Sequence, residues 1–279
     1  MSQKRSVRKP TEPTGINEID RLAGLDPCTI QDYVGGVSAY VRQSGTLAPG
    51  PKKAGQIRLS NALARALADA LTAQLPKLRG KLVTQEQKVA GGLRTANADV
   101  SESHHLDGLR LAVELKPINL AVGRAIWNRF GDIRTFAVNI HLKFPFAVVG
   151  GVLVIPTYEE TGTKAASTAE AEEEAAEEGD GVAITNQEDL SDARPEKTIE
   201  APGRKSTLHL IDRAIDRLIR AGGRKSEAES AHLLEGIAVV VYDPNMGVIH
   251  DALPKPGSGL RWEEFISALA LSYRARFED

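Results

Sequence analysis

The chain has 279 residues, room for one large domain with insertions or about two of ordinary size. An apolar fraction of 42% and a charged fraction of 26% mark a globular protein, and aromatics at 5% leave the core to aliphatic side chains. The longest apolar stretch, Phe144 to Ile155, is too short to span a bilayer, and no apolar run follows the basic cluster Lys4, Arg5, Arg8 and Lys9. Cys28 is the only cysteine, which excludes a disulfide scaffold and a cysteine-rich zinc site. A cytoplasmic protein with no membrane partner is expected.

The formal net charge of −2 hides two unlike parts. From Glu159 to Glu200 there are 14 acidic and 3 basic residues, and the rest of the chain sums to +9. A basic body permits contact with a phosphate backbone without proving it.

In chain order, residues 1–15 read as a basic arm, because Pro10 and Pro13 block regular structure. Residues 16–45 hold one or two short helices. Gly45 to Gly55, with Pro49, Gly50 and Pro51, reads as a linker. Leu59, Leu63, Leu67 and Leu71 recur every four residues and predict a helix to Leu75, stopped by Pro76. Residues 81–90 suit a strand or a short helix. Arg94–Ser103 and Leu109–Lys116 are extended, with Asp107-Gly108 between them as a hairpin signal. Alternation puts Leu109, Leu111, Val113 and Leu115 on one face and Arg110, Ala112, Glu114 and Lys116 on the other.

Pro117 ends that strand. A helix over about Leu120–Ile140 carries Ile126, Trp127, Phe130, Ile133 and Ala137 on one side. The apolar run Phe146–Ile155 has the pattern of a strand buried on both faces, so strand, helix and strand predict a parallel pair. Residues 157–205 read as an acidic low-complexity insertion. An amphipathic helix from Thr207, a buried strand Ile237–Tyr242 and a last helix over about 261–277 complete the chain. The organisation expected is a basic arm and extension over 1–55, then one domain over 56–279 interrupted by 157–205.

The chemistry concentrates on Asp99, Glu114 and Lys116. Glu114 and Lys116 are two apart on a strand and share a face. A two-residue turn at Asp107-Gly108 sets Asp99 opposite Lys116; a longer loop sets it opposite Glu114. Either register gathers two carboxylates and one ammonium on a patch. Carboxylates are hard oxygen ligands for Mg²⁺, and an ammonium beside them can position water and offset phosphoryl charge. Metal-dependent phosphodiester cleavage is the chemistry this set suits.

Asn97-Ala98-Asp99-Val100 followed by Leu111-Ala112-Val113-Glu114-Leu115-Lys116 resembles the PD-(D/E)xK nuclease superfamily. Over roughly Leu59–Ile155 the element order is similar as well. The resemblance implies an α/β restriction-endonuclease-like fold, a mixed sheet flanked by helices. It implies that Asp99 and Glu114 bind Mg²⁺ and that Lys116 is the catalytic lysine. It further implies a type II restriction endonuclease acting on double-stranded DNA as a homodimer. Ala98 stands where the motif's name has proline, and no Gln-x-x-x-Tyr run follows, unlike the RecB-like branch. Glu86 is a candidate for an additional upstream acid.

Other residues have a functional and a plain explanation. His104 and His105 beside the turn suit a phosphate or metal contact or an exposed turn. Asp107 suits a ligand or a turn residue, and His141 a ligand or a helix-end histidine. Gly91-Gly92 lacks the Lys-Ser/Thr of a P-loop. The loop Pro256-Gly257-Ser258-Gly259 can offer amides to an anion or simply connect. Arg213, Arg217, Arg220, Arg224 and Lys225 suit a DNA groove or a solvated helix face. Two rivals to a nuclease follow from the same residues: a nucleic-acid-binding module without turnover, and an interaction protein using its acidic segment.

Overall fold

Three parallel strands form the centre of the molecule. The computed structural model describes residues 17–119, 122–160 and 204–278. The expected basic arm over 1–15, and residues 161–203 of the expected acidic insertion, lie outside the described residues. The elements are α1 (Asn17–Leu22), α2 (Ile30–Gln43), α3 (Pro49–Gln74), β1 (Gln87–Val89), β2 (Ala96–Ala98), β3 (Val100–His104) and β4 (Gly108–Pro117). They continue with α4 (Val122–Lys143), β5 (Val148–Pro156), β6 (Tyr158–Glu160), β7 (Arg204–Ser206), α5 (Leu208–Leu218), β8 (Gly236–Asp243), β9 (Val248–Ile249) and α6 (Trp262–Phe277).

The main sheet has the order β3-β4-β5-β8-β9. β4, β5 and β8 run parallel, as the strand–helix–strand pattern predicts, and β3 and β9 pair antiparallel at the two edges. This is a mixed five-stranded α/β sheet with helices on both faces. Leu111, Val113, Leu115, Val152, Val154 and Val240 pack with α1, α2, α3 and α6 on one face. Ala112, Val149, Leu153, Ile155, Val239 and Val241 pack with α4 and α5 on the other. Burial on both faces explains why β5 reads as an unbroken apolar run.

The linker expected over Gly45–Gly55 is a correction. It is a 3₁₀ turn over Ser44–Thr46 followed by the opening of α3, so the boundary expected at residue 55 falls inside a helix. Pro49 occupies the first turn, where a missing N–H costs no intrahelical bond. α1 and α2 then bury Ile19, Leu22, Tyr33 and Val37 in the same cluster as the sheet. A Thr29–Asp32 capping box starts α2, satisfying two backbone donors that the helix leaves open.

Gly150-Gly151 lets both helical layers reach the central strand. A Cβ on Gly150 would lie 3.0 Å from Phe265 of α6, and one on Gly151 would lie 2.5 Å from Cγ2 of Ile133 on α4. Gly151→Ala is therefore expected to destabilise the protein by about 1–3 kcal/mol, the cost of overpacking a filled core. Urea denaturation checks it; an unchanged midpoint would mean that α4 can move off the sheet freely.

The described ends of the expected insertion are ordered. Tyr158–Glu160 pairs antiparallel with Arg204–Ser206, and the Glu159 carboxylate accepts the Val122 N–H at the start of α4. The stem thus meets the chain at the carboxyl ends of the parallel strands. Among the described residues, no helix is long and apolar enough to cross a membrane.

Candidate active site

The hairpin of β3 and β4 differs from both simple registers at its tip. His104 pairs with Gly108, leaving a three-residue turn, and Gly108 takes a positive φ of 73°. A register shift follows: Ser103 faces Leu109 and Glu102 faces Leu111, so Arg110 is an extra, bulged residue. The bulge corrects the expected stripe. Leu109 joins the α4-side core, while Leu111, Val113 and Leu115 remain on the other face.

Beyond the bulge, Val100 pairs with Val113, where the ladder ends. Asp99 lies in the bend between β2 and β3. Its N–H donates to the Val113 carbonyl at 3.1 Å, and its carboxylate Oδ2 accepts the Leu115 N–H at 2.6 Å. One Asp99 oxygen therefore serves the strand ladder, which anchors the side chain beside β4.

Glu114 and Lys116 occur near the carboxyl end of β4 and turn toward the α4 layer. Lys116 Nζ is 2.8 Å from Glu114 Oε1, with side chains only 15% and 11% exposed. Glu114 Oε2 is buried with no hydrogen-bond partner among the described residues. Burial pushes the Glu114 carboxyl up to about 7; Lys116 opposes that rise, and the Asp99 and Asp132 carboxylates add to it. A buried carboxylate with one oxygen unpartnered costs stability.

Sequence reasoning missed two residues, Asp132 and Arg129 of α4. Asp132 acts on Glu114, and Arg129 lies 3.3 Å from Asp132. Their i, i+3 spacing on a predicted helix was the available signal. Glu86, by contrast, is exposed in the loop before β1.

The remaining candidates have structural roles. Asp107 accepts from Arg110 Nε at 2.6 Å and lies 3.5 Å from His104 Nδ1, at the far end of β4 from Glu114. The His104 and His105 rings lie 4.3 Å apart, tilted by 44°. Gly91 and Gly92 approach α4 so closely that a Cβ would lie 2.3 Å from Asn139 Oδ1 and 2.4 Å from Leu142 Cβ. Asn139 in turn accepts the Leu93 and Arg94 N–H groups at 2.8 and 3.1 Å. The Pro256–Gly259 loop does offer amides to an anion, and that anion is the chain's own Glu264: Gly259 N–H donates at 2.8 Å and Arg261 N–H at 3.3 Å.

The arginine row does not stay together. Arg213 and Arg217 lie over the Trp127 ring, 5.7 and 4.5 Å from its centre. Arg224 is buried instead of lining a groove, held 3.0 Å from Glu235 Oε1. Glu235 also meets Arg276 at 2.7 Å and accepts the Val149 N–H at 2.7 Å. His141 Nε2 lies 3.3 Å from it without hydrogen-bond geometry, while His141 Nδ1 is 3.0 Å from the Ala231 carbonyl. This cluster bolts the amino ends of β5 and β8, away from Glu114 and Lys116.

Two clefts of about 290 and 700 Å³ also lie elsewhere. The larger is lined by Arg110, Lys143, Phe144, Arg276 and Phe277 at the amino ends of the strands. Glu114 lines neither of these two clefts. Comparison with known protein families, curated proteins and solved structures finds no match for this chain.

Proposed function

We propose that the protein is a Mg²⁺-dependent endonuclease of the PD-(D/E)xK kind, cutting double-stranded DNA as a type II restriction enzyme. The observation that carries this reading is the Glu114–Lys116 pair on β4, with the Asp99 carboxylate held on the amide of Leu115 between them in sequence. The order of hairpin, helix and buried strand supports a restriction-endonuclease-like fold. A homodimer is part of the proposal, because two antiparallel DNA strands are cut most simply by two symmetry-related sites.

The residues fit the ion. Glu114 Oε2 is an unpartnered buried oxygen, and Asp99 supplies a second carboxylate. Among the described residues no three His, Cys, Asp or Glu groups gather as a metal cluster. Mg²⁺ tolerates this, since it usually keeps several waters and takes one or two carboxylates. When bound, it supplies Lewis-acid polarisation of the phosphoryl group and of the attacking water. Glu114 and Asp99 would hold it, the Leu115 amide keeps Asp99 in place, and Lys116 would orient the attacking water and offset phosphoryl charge.

Purified protein incubated with long unmethylated duplex DNA is expected to give discrete fragments with Mg²⁺ and none with EDTA. Lys116→Ala is expected to lose about 10²–10³-fold in rate, the scale of removing one preorganised electrostatic group. A Mg²⁺-dependent smear would keep the nuclease and remove the restriction assignment. Duplex binding without cutting, indifferent to metal, would move the assignment to a binding module. Survival of cutting in Lys116→Ala would remove the proposed site.

A further inference from the structure

α4 crosses the sheet so that one side of it overlooks β4. Ile133 packs against Gly151, which is the register partner of Glu114 on β5. β4 and β5 run parallel and α4 returns between them, so the turn of α4 before Ile133 lies toward the carboxyl end of β4, where Lys116 sits. Ile126, Ile133, Ala137 and Ile140 mark the stripe of α4 that faces the sheet. Helical spacing puts Arg129, Asp132 and Asn139 along one flank of that stripe. Asn139 fixes the side: it holds Leu93 and Arg94, in the loop between β1 and β2, and β2 leads directly into Asp99. The Arg129 side chain is only 15% exposed and its guanidinium is 3.3 Å from Asp132.

We infer that Arg129 is a second cation of the active site, binding a phosphate oxygen of the DNA, and that Asp132 is the positioning residue that holds it. This inference rests on the nuclease reading. The geometry places a short ammonium on the strand and a planar guanidinium on the helix facing it. Lys116 is a point charge engaged with Glu114, whereas a guanidinium can span two phosphoryl oxygens in a fixed fork. A site of carboxylates alone repels a phosphodiester; cations from two separate elements offset that repulsion from two directions. Asp132 touches neither metal nor substrate in this assignment; it positions Arg129, and its charge also adds to the rise of the Glu114 carboxyl, so the variants are compared at pH 8.5, above that titration at about 7.

The test combines binding and cutting. Duplex binding is measured with Ca²⁺ in place of Mg²⁺ over a range of salt, and single-turnover cutting with Mg²⁺. Arg129→Ala is expected to cut about 10²-fold more slowly. Its log–log salt dependence of binding should be shallower by about 0.9, one phosphate contact. Arg129→Lys should recover the salt slope and part of the rate. Asp132→Asn should slow cutting in the native background and add little in the Arg129→Ala background, because coupled residues are not additive.

Arg129→Ala with native rate and salt slope overturns the inference, as does a full additional loss from Asp132→Asn in that background. Should Arg129→Ala fail to fold, Arg129→Gln replaces it in both assays. Native protein that binds duplex without cutting overturns the nuclease reading alone, and the salt slope still decides Arg129. Native protein that binds no duplex overturns both.

Discussion

Glu114→Gln is expected to lower Mg²⁺-dependent cutting by about 10²–10³-fold while the protein stays folded. The side chain keeps its size, so β4, Ile133 and Gly151 need not move. The amide cannot present the anionic oxygen that Oε2 offers, and it replaces the partner of Lys116 with a weaker one. The same position sets a pH dependence. The native carboxyl titrates near 7, because burial outweighs the pull of Lys116. A cation must displace that proton, so metal affinity and cutting should rise with pH between about 6 and 8.

Stability runs the other way. The folded state holds the Glu114 proton more tightly than the unfolded chain does, so this group favours folding fully below its ordinary value of 4.5. That contribution is lost as pH climbs through about 7. Metal-free native protein should therefore lose more stability between pH 4.5 and pH 7, the ordinary value of the carboxyl and about its value in the folded protein, than Glu114→Gln does. Denaturation midpoints at the two ends check it. Parallel pH profiles for both proteins would show that Glu114 is ionised throughout.

Glu235→Ala is expected to give the largest loss of stability, about 3–5 kcal/mol. The carboxylate is fully buried, and its removal leaves Arg224 and Arg276 facing each other at the start of β8 with no counter-charge between them. It also strands the Val149 N–H. Burial alone would raise the Glu235 carboxyl. His141, Arg276 and the Val149 amide together hold it below its ordinary value, so it is charged at neutral pH. The expected Tm fall is roughly 10 °C for a protein of this size. A fall of less than about 3 °C would mean that solvent relieves the stranded arginines. Protein that remains folded should bind metal as the native protein does, since Glu235 lies at the opposite ends of the strands.

The two predictions separate two uses of buried charge. Glu235 is saturated by donors on every side, so it stabilises only while its partners remain. Glu114 is partnered on one oxygen and open on the other, so it costs stability and is available for chemistry.

Periodicity in the sequence was enough to determine the elements around the site. A four-residue leucine repeat placed the body of α3, alternation placed β4, and the apolar run placed β5. Each depends on contacts a residue makes through its own backbone repeat, which is local. The shared face of Glu114 and Lys116 was legible for the same reason, and Asp99 was legible as their neighbour through either hairpin register. Tertiary structure decided the rest. The bulge at Arg110 moved Leu109 to the other face, because one extra residue reverses every side chain beyond it. Pro49 opened a helix where prolines and glycines read as a linker, because the first turn has no N–H bonds for proline to break. Arg224 left the expected basic row because Glu235, eleven residues on, is buried beneath it. Asp132, with Arg129 beside it, acts on Glu114 only when α4 lies across β4 and β5. No local repeat carries that information, because it is set by Gly151 admitting Ile133 of α4 against the sheet.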